Sequence, residues 1–265
     1  MSRLYLRKTI VTIQPGSGSG KTIEDLRMTF NVEKTNEKNP NRSRLEIYNL
    51  SSTSKGMLET KNAKISLAVG YEDTVSVVAV GDITKVVHER SGPDIISKIE
   101  FGDGDNKYRN SRIEKGYPPG VTTARVIDDL ILESGLIKGV VIGVPDFTYA
   151  NGLSLSGLVR DELQRICVKN NLEFSIQNEV IQIIPKDSFT TDSIVFLDKT
   201  SGLIGEANKT EKGVEFKSLI QPRLKPGSRV QIQSDKLSGI FKLQKVTHEG
   251  DNQSGDFLSS CEATI

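Results

Sequence analysis

The 265-residue sequence has no tryptophan, two histidines and two cysteines, and its 35 basic residues are nearly cancelled by 34 acidic ones. Each scarcity excludes something. Two cysteines, Cys167 and Cys261, cannot build a disulfide framework or a four-ligand zinc site, and they suit a chain that folds in a reducing cytoplasm. The net charge is +1 overall, and it is +3 over residues 1–110, −2 over 111–185 and 0 over 186–265. No block is basic enough to grip phosphates along an extended site, and the best stacking residue for bases is missing. Sequence-specific nucleic-acid binding is therefore disfavoured. No apolar run approaches the roughly 20 residues that a helical membrane span needs. The first residues alternate instead of forming an apolar block with a small-residue cleavage site, so no signal peptide is expected.

What is present is alternation. Leu4 and Leu6, followed by Ile10 to Ile13, open a strand that the Gly/Ser-rich residues 14–20 turn back. Leu26, Met28, Phe30 and Val32 then alternate, which predicts a long hairpin. After a polar loop over 35–41, strands are expected at 44–50, 65–69, 75–80, 83–87 and 95–101. Short strands punctuated by Gly, Asn and Ser indicate a barrel or sandwich. The period changes near Tyr108. The break Gly116-Tyr-Pro-Pro-Gly120 leads to a helix capped by Thr122 or Thr123, with Val126, Ile127, Leu130 and Ile131 on one face and Gly135 closing it. A second helix is expected from Leu155 to Cys167, with Ser154 or Ser156 as N-cap and Leu158, Leu163 and Ile166 on its buried face. A hairpin follows, with Leu172, Phe174 and Ile176 before the turn and Ile181 and Ile183 after it. Strands return at 194–197, 214–220, 229–233, 240–246 and 258–264. The division expected is a β domain over 1–107, a small α+β unit over 108–187 and a second β domain over 188–265, with strand exchange between them allowed.

The sequence also repeats itself. Lys85-Val-Val-His-Glu89 matches Lys245-Val-Thr-His-Glu249 at four of five positions, and these segments hold both histidines. Each leads through a Gly-containing turn to an acidic residue, Asp94 or Asp256, and then to Glu100 or Glu262, 12 and 14 residues beyond the histidine. Residues 65–70 correspond roughly to 230–234. Two β domains of one design account for this pattern.

Motifs with chemical potential have simpler structural explanations. Gly16-Ser-Gly-Ser-Gly-Lys-Thr22 imitates a phosphate-binding loop, yet Pro15 stands where the first glycine belongs and an alternating strand follows where a helix is needed. Asp103-Gly-Asp-Asn106 with Glu114 imitates a calcium loop, but Lys107 and Tyr108 occupy a ligand and a glycine position. Gly152-Leu-Ser-Leu-Ser156 lacks the closing glycine of a nucleophile elbow. His88 and His248 sit at equivalent repeat positions, which suggests a shared structural hydrogen bond at a turn. Asp128, Asp129, Asp161 and Glu162 are expected to offset helix dipoles, and Cys167 to be core. No catalytic, cofactor-binding or metal-binding residue is assigned, and no cofactor is expected.

Three stretches resemble the first β domain of bacteriophage baseplate hub proteins: Leu45-Glu-Ile-Tyr-Asn-Leu-Ser51, Ile65-Ser-Leu-Ala-Val-Gly-Tyr71 and Val80-Gly-Asp-Ile-Thr84. Residues 116–136 resemble the helical domain that follows. Ser201-Gly-Leu-Ile-Gly205, Leu219-Ile-Gln-Pro-Arg-Leu-Lys-Pro-Gly227 and residues 239–251 resemble the last β domain. The family includes the hubs of T4-like and Mu-like contractile tails, the late-control D proteins and the hub part of type VI secretion spikes. The resemblance implies a mainly β fold of two tube-like β-barrels joined through an α+β insert. It implies a homotrimer whose pseudo-sixfold ring joins the tail tube to the central spike around a DNA channel. It also implies contacts with the tail tube protein, the spike protein, the tape-measure protein and other baseplate proteins. DNA would pass only in transit, and no stable membrane insertion is implied. Such a protein is a virion component assembled in the host cytoplasm and is not an enzyme. The sequence carries no needle extension or lysozyme-like segment, so a separate puncturing tip is expected. The alternatives are a nucleotide-dependent enzyme or cell-wall hydrolase using the Gly/Ser loop or the histidines, and the tip hub of a non-contractile tail.

Overall fold

In the first part of the chain, apolar residues at every second position bury one side of each strand and leave the other polar. The structure, a computed structural model, describes residues 6–36, 40–72, 74–104 and 108–264. Strands β1 (Arg7–Gln14), β2 (Lys21–Ile23), β3 (Met28–Thr35) and β4 (Arg42–Tyr48) precede a short helix, α1 (Ser52–Leu58). Then come β5 (Lys64–Tyr71), β6 (Ser76–Ser91) and β7 (Asp94–Gly102). The expected strand began at Leu4, which lies outside the described residues; Leu6 precedes the strand. The long hairpin is corrected. β1 turns back only onto the three residues of β2, whereas β3 pairs with β4 and with a strand from the end of the chain. The two strands expected at 75–80 and 83–87 form one 16-residue strand, bent by a bulge between Ile83 and Lys85. At this bend a β-carbon on Gly81 would lie 2.1 Å from the carbonyl oxygen of Gly102, so only glycine fits. The α1 helix had no apolar period to announce it. The Ser51 hydroxyl accepts from the Ser54 N–H to start it.

The α+β unit contains β8 (Arg112–Tyr117), β9 (Val121–Thr122), α2 (Thr123–Ser134), β10 (Ile137–Val141), β11 (Thr148–Tyr149), β12 (Leu153–Leu158), α3 (Val159–Lys169), β13 (Leu172–Gln177) and β14 (Val180–Pro185). Thr122 caps α2 by accepting from the Arg125 N–H, and Gly135 ends it at φ 71°. The second helix starts four residues later than its period suggested. Leu153–Leu158 forms a strand paired with β8, which takes up its backbone groups, so Leu155 and Leu158 are not helical and neither Ser154 nor Ser156 is an N-cap. Leu158 is the cap residue and makes no side-chain cap bond. The break expected at residues 116–120 starts later for the same reason, because Gly116 and Tyr117 belong to β8. The β13–β14 hairpin turns through Asn178 and Glu179, at φ 56° and 64°, the left-handed pair that a two-residue turn demands.

The last part holds β15 (Val195–Leu197), β16 (Leu203–Thr210), β17 (Gly213–Leu219), β18 (Arg229–Gln233), β19 (Ser238–Asp251) and β20 (Phe257–Thr264). These join the first part in one 13-stranded sheet whose main path is β16-β17-β20-β19-β3-β4-β7-β6-β5-β1-β2. β18 branches off β19 and carries β15. The fold is mainly β, with three helices among the described residues. Each part has its own apolar cluster, although Ile220 and Phe257 from the last part sit in the first cluster.

Candidate functional site and assembly surface

The central run of the sheet, β6-β7-β4-β3-β19-β20-β17-β16, has two unlike faces. One carries Val32, Leu45, Ile99, Val246 and Phe216 into the cores. The other is charged in alternation, with Arg44, Lys85, Lys98, Lys217 and Lys245 among Glu33, Glu46, Glu89, Glu100, Glu215, Glu249 and Glu262. Cross-strand ion pairs link Lys98 to Glu89 at 2.6 Å and Lys245 to Glu33 at 3.1 Å. A groove of about 640 Å³ on this face is lined by Arg42, Arg44, Lys85, Glu100, Arg109 and Lys245 with neighbouring polar residues. It is polar and open and gathers no acid/base pair. Such a face presents a surface of mixed sign without a strong net field.

The two pentapeptides lie on the two long bent strands. In β6, Lys85 stands opposite Glu100 and His88 opposite Ser97. In β19, Lys245 stands opposite Glu262 and His248 opposite Ser259. Both strands shift register just before the lysine. His88 Nδ1 lies 2.9 Å from Ser97 Oγ, and His248 Nδ1 lies 2.8 Å from Ser259 Oγ. The shared contact is therefore a bond across a strand pair and not one in a turn. The two residues that lengthen the second copy fall in the turn before β20, where Gly250 pairs with Phe257, against Ser91 with Asp94 in the first. The surroundings differ. His248 is buried between β20 and β3, and burial, reinforced by the Lys34 charge, pushes its imidazole down to about 3. Among the described residues His88 is paired on the β7 side alone, and its Nε2 lies 3.4 Å from Glu59.

A buried polar lock fixes the α+β unit to the sheet. Asn41 donates to Asp103 at 2.9 Å and to the Ile176 carbonyl at 2.7 Å, and its own oxygen accepts from the Thr35 N–H at 2.8 Å. Lys34 donates to Asn178 Oδ1 at 2.6 Å, Gln177 to the Thr35 carbonyl at 3.0 Å and Lys64 to Glu179 at 2.7 Å. Burial pushes the Lys34 ammonium down to about 8 and raises the Asp103 carboxyl, the latter against the pull of Lys34 and of bonds from Asn41 and the turn N–H groups. Sequence patterning missed this cluster because its members come from five separate places in the chain: Lys34 and Thr35 in β3, Asn41 ahead of β4, Lys64 in β5, Asp103 after β7, and residues 176–179 at the β13–β14 turn. Lys34, a charged residue in the inward phase of β3, was its one signal.

The remaining motifs fall in ordinary places. Residues 16–20 form the β1–β2 turn and lead into a strand, with Lys21 paired opposite Ile13. Asp103 is buried in the lock, and positions 105–107 of the calcium-like loop lie outside the described residues. Asp128 and Asp129 are corrected: they lie in the middle of α2, away from its first turn. Asp128 pairs with Lys138 at 2.6 Å. Although burial opposes it, bonds from Lys115 and Tyr117 and the Arg125 charge hold the Asp129 carboxyl below its usual range. Asp161 and Glu162 do open α3. Cys167 and Cys261 are buried, and burial raises both thiols, Cys167 to about 12. Among the described residues no group of three or more His, Cys, Asp or Glu is placed to hold a metal, and no helix is long and apolar enough to cross a membrane.

The fold is shared by tail proteins of known structure. The 43 kDa tail protein of prophage MuSo2 from Shewanella oneidensis shares it at 9% identity, over 97% of this chain and 98% of that one, with a TM-score of 0.69. A tail protein from Neisseria meningitidis MC58 matches at 9% identity, over 97% and 96%, with a TM-score of 0.68. An E. coli component of the type VI secretion system, described as structurally similar to the T4 tail proteins gp27 and gp5, matches at 13% identity, over 96% and 76%, with a TM-score of 0.66. No curated protein matches by sequence. Residues 9–259 match the baseplate hub gp41 family, and the chain belongs to it. It is thus a baseplate hub protein of a phage tail, from a family of structural proteins.

Proposed function

We propose that three copies of this chain close a ring that joins the tube of a contractile tail to its central spike, each copy supplying two β units of one design. The observation that carries this is the order of strand pairing. In order of pairing, β1, β5, β6, β7, β4 and β3 follow one another, and β15, β18, β19, β20, β17 and β16 do the same. The six strands of each set come in the same chain order. One difference stands: β1 pairs antiparallel with β5, whereas β15 pairs parallel with β18. Two like units per chain turn threefold closure into a near-sixfold ring, the closed cyclic outcome expected of recurring head-to-tail contacts.

The units correspond to residues 1–107 and 188–265, with 108–187 as the α+β unit outside the ring. On this reading each unit forms part of a tube-like barrel, and the mixed-charge face lines the channel through which DNA and the tape-measure protein pass. The tail tube protein, a separate spike protein and other baseplate proteins are the partners. The spike partner rests on the likeness to the type VI secretion component. The protein acts through its shape and performs no catalysis. A baseplate map with three copies around the axis is the expected result; six copies, or an off-axis position, would overturn it. Replacing Lys21 with alanine is expected to leave assembly and infection nearly unchanged, because Lys21 only follows a hairpin turn. Saturable ATP binding abolished by that change would show a nucleotide site instead.

A further inference from the structure

Among the described residues, part of β6 and the whole of β16 are each paired on one side of the strand. β5 pairs with β6 only as far as Asp82, so among the described residues β6 is paired over 84–91 on the β7 side alone. The matching stretch of β19, residues 245–251, is covered on that side by β3. At the far end of the sheet β16 pairs, among the described residues, with β17 alone. In the order of pairing, β16 holds the place of β3. We propose that β16 of a second copy covers the open edge of β6, antiparallel, in the register that β3 makes with β19 inside the chain. This rests on the ring reading and specifies its contact.

The register follows by carrying one row across both units. Lys85, Glu100, Arg44 and Asn31 stand opposite one another in turn. Lys245, Glu262, Glu215 and Asn208 do the same. Asn208 therefore occupies the position of Asn31, and Lys209 and Thr210 those of Val32 and Glu33. Inside the chain Asn31 stands opposite Glu249 and donates to it at 3.4 Å. Between copies the same residue types meet, Asn208 opposite Glu89. Lys209 then faces His88 where Val32 faces His248, and residues opposed across an antiparallel pair share a face. Glu59, 3.4 Å from His88 Nε2, supplies the acidic neighbour for that lysine. The contact is short. β16 breaks register between Ile204 and Asn208, so the pairing extends only from 208 to the β16–β17 turn. An edge of this length closes only when neighbouring copies are already held on the tube or spike.

The test places cysteines at Glu89 and Asn208 of one full-length chain and oxidises assembled tails. Directly opposed residues have β-carbons about 4.5–5.5 Å apart, within slight adjustment of disulfide reach. The native cysteines are buried. Most of the hub chain is expected to run as a covalent trimer without reductant, with the ladder ending at three, and single-cysteine tails are expected to give monomer. Tails that assemble but cross-link below a tenth at this pair, or better with Glu89→Cys and Lys212→Cys, would overturn the register. Should the substitutions block assembly, a map of the wild-type baseplate decides directly. Three copies with another segment on β6 refutes this contact and leaves the ring intact, whereas six copies refutes both.

Discussion

Leu163→Ala is expected to lower the unfolding free energy by about 2–5 kcal/mol, measured by urea titration. Leu163 lies on α3 with Ile166 and Cys167, all fully buried. The helix packs against α2, β12 and β13, where Leu155, Leu172 and Phe174 belong to the same cluster. Truncation there removes apolar contact and leaves a space that two helices and a hairpin cannot close without disturbing the polar lock beyond it. Val168, one residue along, is mostly exposed, so Val168→Ala serves as the control and should cost little. A loss below half a kcal/mol for Leu163→Ala would show that the unit does not depend on this face.

The second large effect is sensitivity to acid through His248. Unfolded, this imidazole titrates near 6.5; folded, burial and the Lys34 charge hold it near 3. Between those values the unfolded chain binds the extra proton, so the stabilisation is complete above pH 6.5 and is lost as pH falls toward 3. From pH 7 to pH 4 the loss from this one group amounts to about 3 kcal/mol. Carboxylates add their own slopes, so the useful quantity is the difference between wild type and His248→Gln, which keeps a polar group beside Ser259. That difference should change by roughly this amount across the range. Parallel pH profiles for the two proteins would mean that His248 takes up its proton in the folded state.

Most of the strands were legible because burial on one side writes a period of two into the sequence, as at Met28, Phe30 and Val32. What the period cannot state is the partner. Nothing in β3 distinguishes β1, which lies close by in sequence, from β19, more than 200 residues away, which it pairs with. The α3 boundary failed for a related reason. Leu155 and Leu158 fit a helical spacing and a strand equally well, and pairing with β8 decided between them. The histidine repeat was visible because both copies need the same cross-strand contact. The lock around Asp103 was not, because its members share no spacing.

A strand that serves two pairings cannot slip in one without spoiling the other. In β6 a slide of one residue would turn Val86 and His88 to the polar face and also pull Val78 out of the core beside β5. The bulge between Ile83 and Lys85 joins these two readings of the strand at a fixed phase, and the bulge ahead of Lys245 does the same in β19. Misregistered intermediates are thus penalised twice, at two places far apart in the sequence. For a chain whose sheet is knit from its first strands to its last, this double check serves as proofreading during folding, before any copy meets another.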